Sequence, residues 1–98
     1  VAHKDPVTPD VYAAVMLRDN KTCVGPQVGM TGECGSQWGP GRPVVLEIDH
    51  VNTAGFGKRG PSIEENLVIL CGYHHRIKTE ASRIWRAALN EYLRECYE

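Results

Sequence analysis

The chain lacks any apolar run long enough to span a bilayer, and no basic segment leads into an apolar one. The first absence excludes a membrane-spanning helix within this sequence. Together they set the expectation of a soluble protein with nothing to mark it for secretion. An excess of either charge is also missing: 11 Lys and Arg stand against 12 Asp and Glu, for a net charge of −1. That balance argues weakly against a nucleic-acid partner, although a local basic face can hold phosphates on a near-neutral molecule. Internal repeats are absent, so the chain does not read as a repeat array. Length is short as well. With 98 residues it makes one small domain, and such a chain with few regular elements often needs a disulfide or a structural metal to stay folded.

What is present is ordinary in bulk and uneven in detail. A hydrophobic content of 42% and a charged content of 23% are those of a globular protein, which excludes wholesale disorder. From Arg76 to Arg86 the chain carries Arg76, Lys78, Arg83 and Arg86 against Glu80 alone, and Lys58 and Arg59 adjoin in a loop. These residues read either as a solvated helix face or as a phosphate-holding one. Four cysteines (Cys23, Cys34, Cys71, Cys96) are compatible with two disulfides, but four histidines, two of them at a cysteine knuckle, point toward metal.

Along the chain, Thr8 is a candidate N-cap, Pro9 suits a first helical position and Asp10 favours a helix N-terminus, predicting a helix over about 9–19. Residues 24–43 hold six of the ten glycines and three of the six prolines. A loop that long is uncommon in a compact domain unless something ties it down. Cys23 and Cys34 offer a metal crosslink there, with Trp38 as a candidate cover. Val44 to Val51 is a β-branched run and reads as a strand, with Leu46, Ile48 and His50 on one face and Glu47, Asp49 and Val51 on the other. A Gly-rich loop over 52–61 follows, then a strand over Asn66 to Leu70 running into Cys71. A helix from about Lys78 to Tyr97 closes the chain, with Ile84, Ala88, Leu89, Tyr92, Leu93 and Cys96 at helical spacing.

Two groups of residues carry chemistry. Cys71-Gly72-Tyr73-His74 is a C-x-x-H knuckle, spaced to bind one zinc ion, and Cys23 and Cys34 can complete a tetrahedral set. The competing reading makes Cys71 and Cys96 buried apolar residues and Cys23–Cys34 a disulfide. Cys96 lies on the apolar stripe of the last helix and is read as core. The second group is Asp49-His50 at a strand end, where a hard carboxylate ligand for magnesium or manganese adjoins an imidazole able to accept a proton near neutral pH. Adjacent strand residues face opposite ways, so both serve one site only if the strand bends there. Asn66 and His75 accompany this pair. Taken singly, Asp49-His50, Asn66 and His75 also fit a capping pair, a turn residue and a surface histidine.

In this order, Leu46-Glu47-Ile48-Asp49-His50-Val51, Asn66 through His75, and Lys78-Thr79 resemble the HNH endonuclease signature, most of all the small HNH proteins of bacteriophages and their bacterial hosts. The resemblance spans about Cys23 to Thr79. It implies an α+β fold with a ββα-metal (His-Me finger) core over about 44–97, a structural zinc knuckle with its loop over 23–43, and flanking helices, all in a single domain over 1–98. It further implies His50 as general base and Asn66 as the middle asparagine, steadying the base loop or binding metal. Asp49 and His75 become ligands of a catalytic Mg2+, Mn2+ or other divalent ion, beside structural Zn2+. Phosphodiester hydrolysis of DNA is the implied activity, in the cytoplasm of a bacterial cell, with other phage or host DNA-processing proteins as further partners and no membrane. Arg76, Lys78, Lys58 and Arg59 are the candidates for holding flanking phosphates. The sequence departs from the family pattern in the wide Cys23–Cys34 spacing and in Thr79, where some members carry a second histidine. The alternative is a non-catalytic zinc-stabilised module that only binds nucleic acid or a protein.

Overall fold

Thr8 opens the first helix as expected: its Oγ1 accepts from Val11 N at 3.3 Å, Pro9 needs no donor partner there, and α1 runs Pro9–Arg18. The computed structural model describes residues 5–35, 44–55 and 58–98, with 54, 55 and 58 described by backbone alone. Trp38, and the end of the zinc loop over 36–43, lie outside those residues, as does the Lys58 side chain. The strands are β1 (Leu46–His50), β2 (Thr53–Gly55), β3 (Lys58–Arg59) and β4 (Leu67–Cys71), and the later helices are α2 (Gly72–Glu80) and α3 (Ser82–Tyr97). The molecule is therefore α+β. Among the described residues no helix is long and apolar enough to cross a membrane.

β1 and β4 pair antiparallel with Ile48 opposite Ile69 and Asp49 opposite Val68. Every residue of β4 is buried, because both of its faces are covered. Leu67 and Ile69 pack with Val15 of α1, Leu46 and Ile48. Val68 and Leu70 point the other way, into a cluster with Val24, Met30, Leu89 and Leu93. This pleat places Asp49 and Glu47 on the side where α2 crosses the sheet.

The outer edge of β4 is closed by groups from the α1 end. Val24 N donates to Ile69 O at 2.9 Å, and Asp19 Oδ2 accepts from Ile69 N at 3.0 Å. Asp19 is 1% exposed, and its carboxylate also takes bonds from Arg18 and from the Tyr92 hydroxyl of α3. Arg18 in turn donates to Leu67 O at 2.6 Å. No backbone group at Ile69 is left to pair with another strand.

Three expectations change. The loop over 52–61 carries a short hairpin, β2–β3, with an irregular register; its five residues show no apolar alternation to reveal it. The closing helix begins earlier, at Gly72, because Cys71 Sγ accepts from His74 N and caps the turn, and it breaks at Ala81 (φ −142°, ψ 54°). Cys96, expected in the core, is exposed. The break re-aims α3, which buries Leu89 and Leu93 and leaves Cys96 beyond the packed stripe.

Candidate functional site

Cys71 ends β4, His74 follows in the first turn of α2, and Cys23 and Cys34 arrive from the glycine-rich loop. Their ligand atoms all lie within 4.8 Å of one another. His74 Nδ1 is 3.4, 3.7 and 3.3 Å from the sulfurs of Cys23, Cys34 and Cys71. A tetrahedron with the usual Zn–S and Zn–N bond lengths has N···S edges of about 3.5 Å. The spacings fit zinc.

The protonation pattern fits as well. His74 Nε2 lies 3.1 Å from the carbonyl oxygens of Thr31 and Gly32. A carbonyl only accepts, so Nε2 carries the hydrogen and Nδ1 keeps its lone pair toward the sulfurs. Burial pushes the Cys23 and Cys34 thiols up, Cys34 to about 12. At Cys71 burial acts the same way, but N–H groups of His74 and Gly35 outweigh it and draw the thiol down. A divalent cation offsets the repulsion of three such sulfurs as thiolates. Loop and helix approach so closely that a Cβ on Gly25 would sit 2.7 Å from the His74 ring. All four cysteines are free thiols, and Cys23 and Cys34 converge with Cys71 and His74 rather than with each other alone.

The second region lies where β1 meets α2. An open cleft of about 470 Å³ is lined by Asp49, His50, Arg59, His75, Lys78 and Thr79, among others. The bend expected after β1 is there: Val51 and Asn52 leave the strand, and both Asp49 and His50 reach the cleft. His75 Nε2 is 3.0 Å from Asp49 Oδ1 and its Nδ1 is 2.6 Å from Glu47 Oε1. The hydrogen bond to Asp49, and after it the one to Glu47, holds His75 up at about 9 despite partial burial. The ring is thus a cation gripped by two carboxylates. Burial works to raise the Asp49 pKa, but His75 and Lys78 outweigh it and lower it.

This pair also fits a divalent ion. Two ligands at right angles on bonds near 2.1 Å are separated by about 3.0 Å, which is the Asp49 Oδ1–His75 Nε2 distance. An ion there replaces the proton those two atoms share. Asp49 Oδ2 is buried and has no aligned hydrogen-bond donor among the described residues, although the Lys78 ammonium pairs with it at 3.0 Å. Glu47 on Nδ1 is the carboxylate that orients a ligating imidazole.

His50 turns its Nε2 to Ser62 Oγ at 2.9 Å. Desolvation, then the positive charge of Arg59, lowers its pKa below the usual histidine value. Asn66 lies apart from Asp49 and His75 in its bonding. Its Oδ1 accepts from Asn52 N, and its Nδ2 donates to Asn52 O and Pro61 O. It therefore staples together both ends of the loop that follows His50. Gly60 is required beside it, since a Cβ there would lie 2.1 Å from Asn52 O.

Of the expected phosphate holders, Arg76 and Arg59 are exposed, and Arg59 lines the cleft. Lys78 is instead buried, pairing with Asp49 and donating to His50 O at 3.0 Å. Sequence reasoning missed Glu47, Ser62 and Asp5. Glu47 was legible, two residues before Asp49 on the same strand face; Ser62 and Asp5 carry no such signal. No protein-family model, curated protein or solved structure matches the chain, so what it does has to be read from these two sites.

Proposed function

We propose that the chain is a metal-dependent endonuclease of the HNH kind, which hydrolyses DNA phosphodiester bonds with a histidine base on a ββα-metal core. One observation carries this reading. Asp49, His50 and His75 line a single cleft, and the sulfur–imidazole cluster sits one residue away along α2.

Asp49 and His75 would hold the catalytic divalent ion, with Glu47 orienting the imidazole. Held there, the ion would supply Lewis-acid stabilisation of the charge that builds on phosphate oxygens. His50 takes the proton from the attacking water. Arg59 at the rim and Arg76 on the outer face of α2 bind flanking phosphates, adding affinity without base choice. Lys78 holds the Asp49 carboxylate and the His50 carbonyl in place, which ties strand end to helix. Asn66 keeps the loop behind the base closed. The zinc cluster, formed from Cys23, Cys34, Cys71 and His74, fixes the start of α2 and so the position of His75.

The test is cleavage of supercoiled plasmid by the zinc-loaded protein, with and without Mg2+ or Mn2+. Divalent-dependent nicking or linearisation is expected, and His50→Ala should lower it by about 100-fold or more at unchanged zinc content. Binding of DNA without cleavage under every divalent metal would replace this reading with a zinc-stabilised binding module.

A further inference from the structure

Ser62 is 5% exposed and lies between the base and the segment before α1. Its hydroxyl bonds the backbone carbonyl of Asp5, its backbone N–H donates to Asp5 Oδ2 at 2.8 Å, and His50 Nε2 lies 2.9 Å from its Oγ. A serine hydroxyl has a single hydrogen. The Asp5 carbonyl can only accept, so that hydrogen points to Asp5. Toward His50, Oγ is then an acceptor, and Nε2 must carry the ring hydrogen. In the neutral ring the lone pair is left on Nδ1.

We infer that Ser62, held by Asp5, is a positioning residue that locks His50 in the Nε2-protonated tautomer and makes Nδ1 the atom that accepts the proton from water. The second half of this statement rests on the nuclease reading, whereas the hydrogen-bonded clamp does not. In the reaction, the water O–H bond breaks as Nδ1–H forms, while the other ring hydrogen stays on Nε2, donated to Ser62 Oγ. The resulting hydroxide oxygen bonds to phosphorus and one ester oxygen departs, taking a proton from solvent. The ring later returns its own proton to solvent.

Asn66 supports the same device at one remove. It donates to Pro61 O at 3.0 Å, directly before Ser62, and so sets the height of the serine under the ring. Asp5 is brought from the far side of the chain, 57 residues away, which makes the N-terminal segment part of the base's support.

The experiment is nitrogen-edited NMR of the histidine rings in the zinc-loaded full chain, followed by plasmid cleavage kinetics on the same samples. Wild type should show His50 in one tautomer, with a slowly exchanging Nε2 proton. Ser62→Ala should lose that proton resonance and show Nδ1–H alongside Nε2–H. Ser62→Thr, which keeps the hydroxyl, should restore both the resonance and the rate. In Ser62→Ala, kcat should fall roughly 10- to 100-fold with KM and zinc content unchanged. A wild-type His50 protonated at Nδ1 overturns the inference without any variant. So does a Ser62→Ala protein that keeps the protected Nε2 proton and full kcat. A wild type that shows the Ser62-dependent tautomer but cleaves nothing upholds the clamp and sinks the nuclease reading alone.

Discussion

His75 sits in a chain of charges, Glu47–His75–Asp49–Lys78, in which every link is 3.0 Å or shorter. The imidazolium and the lysine offset the charge of the buried Asp49; were an ion bound there, Glu47 would still fix the ring so that Nε2 faces Asp49. Glu47→Gln keeps the shape of the side chain and removes the charge that orients Nδ1–H. It should weaken Mn2+ binding by about 10- to 100-fold, as read by titration of the zinc-loaded protein followed by electron paramagnetic resonance, with thermal stability little changed. Unaltered Mn2+ affinity would leave Glu47 as a surface partner of His75 and nothing more. These residues were legible to different degrees. Asp49, His50, His74 and His75 announce themselves by type and spacing. Glu47 could have been added from strand alternation alone. Ser62 could not, because its meaning depends on a contact with Asp5 that no local pattern encodes.

Between elements, one joint at the end of α1 ties together α1, β4 and α3. Asp19 gathers Ile69 of β4, Arg18 of its own helix and Tyr92 of α3, and it does so fully buried. Removing a carboxylate from such a site leaves a guanidinium, a hydroxyl and a strand N–H short of their acceptor. Asp19→Ala should therefore cost about 3 kcal/mol or more, as measured by denaturant unfolding, while zinc content stays the same. A change within experimental error would mean that water replaces the carboxylate freely. The sequence showed position 19 only as the end of a predicted helix. Its role at the sheet edge appears when β4 is laid beside it. The same holds for the break at Ala81: no glycine or proline marks it, and α2 and α3 separate there at φ −142°, ψ 54°. By contrast, α1, β1 and β4 were readable, since a proline-led cap and two β-branched runs state their periods plainly.

For the molecule as a whole, the Cys3His cluster joins a loop that has little apolar content to the helix that carries His75. Cys23 and Cys34 are brought to Cys71 and His74 across 51 and 40 residues measured to His74. Stripping zinc with a strong chelator should lower the unfolding temperature steeply and abolish divalent-dependent cleavage, because a structural zinc site contributes directly to folding free energy. Retention of both after verified zinc removal would reduce the cluster to a set of buried thiols. Charge supplies a second expectation at this scale. With a net charge of −1 and three candidate phosphate contacts (Lys58, Arg59, Arg76), DNA affinity should fall with a log–log salt slope of only about −3. A slope near zero would remove the phosphate contacts. A much steeper slope would require basic residues from beyond this set, such as Arg83.

The residue types and their order were enough to indicate an α+β chain with a Cys3His metal set, a strand ending in Asp49-His50, and His75 beside the knuckle, because ligand chemistry and strand period are local properties. Tertiary structure alone determined which ring nitrogen His50 and His74 offer. It also drew Lys78 inward to Asp49, gave Asn66 to the loop rather than to the Asp49–His75 pair, and set Ser62 against the His50 ring. Those outcomes depend on which distant backbone groups happen to be donors and which acceptors once the chain has closed on itself, and hydrogen-bond complementarity of that sort has no signature in residue spacing.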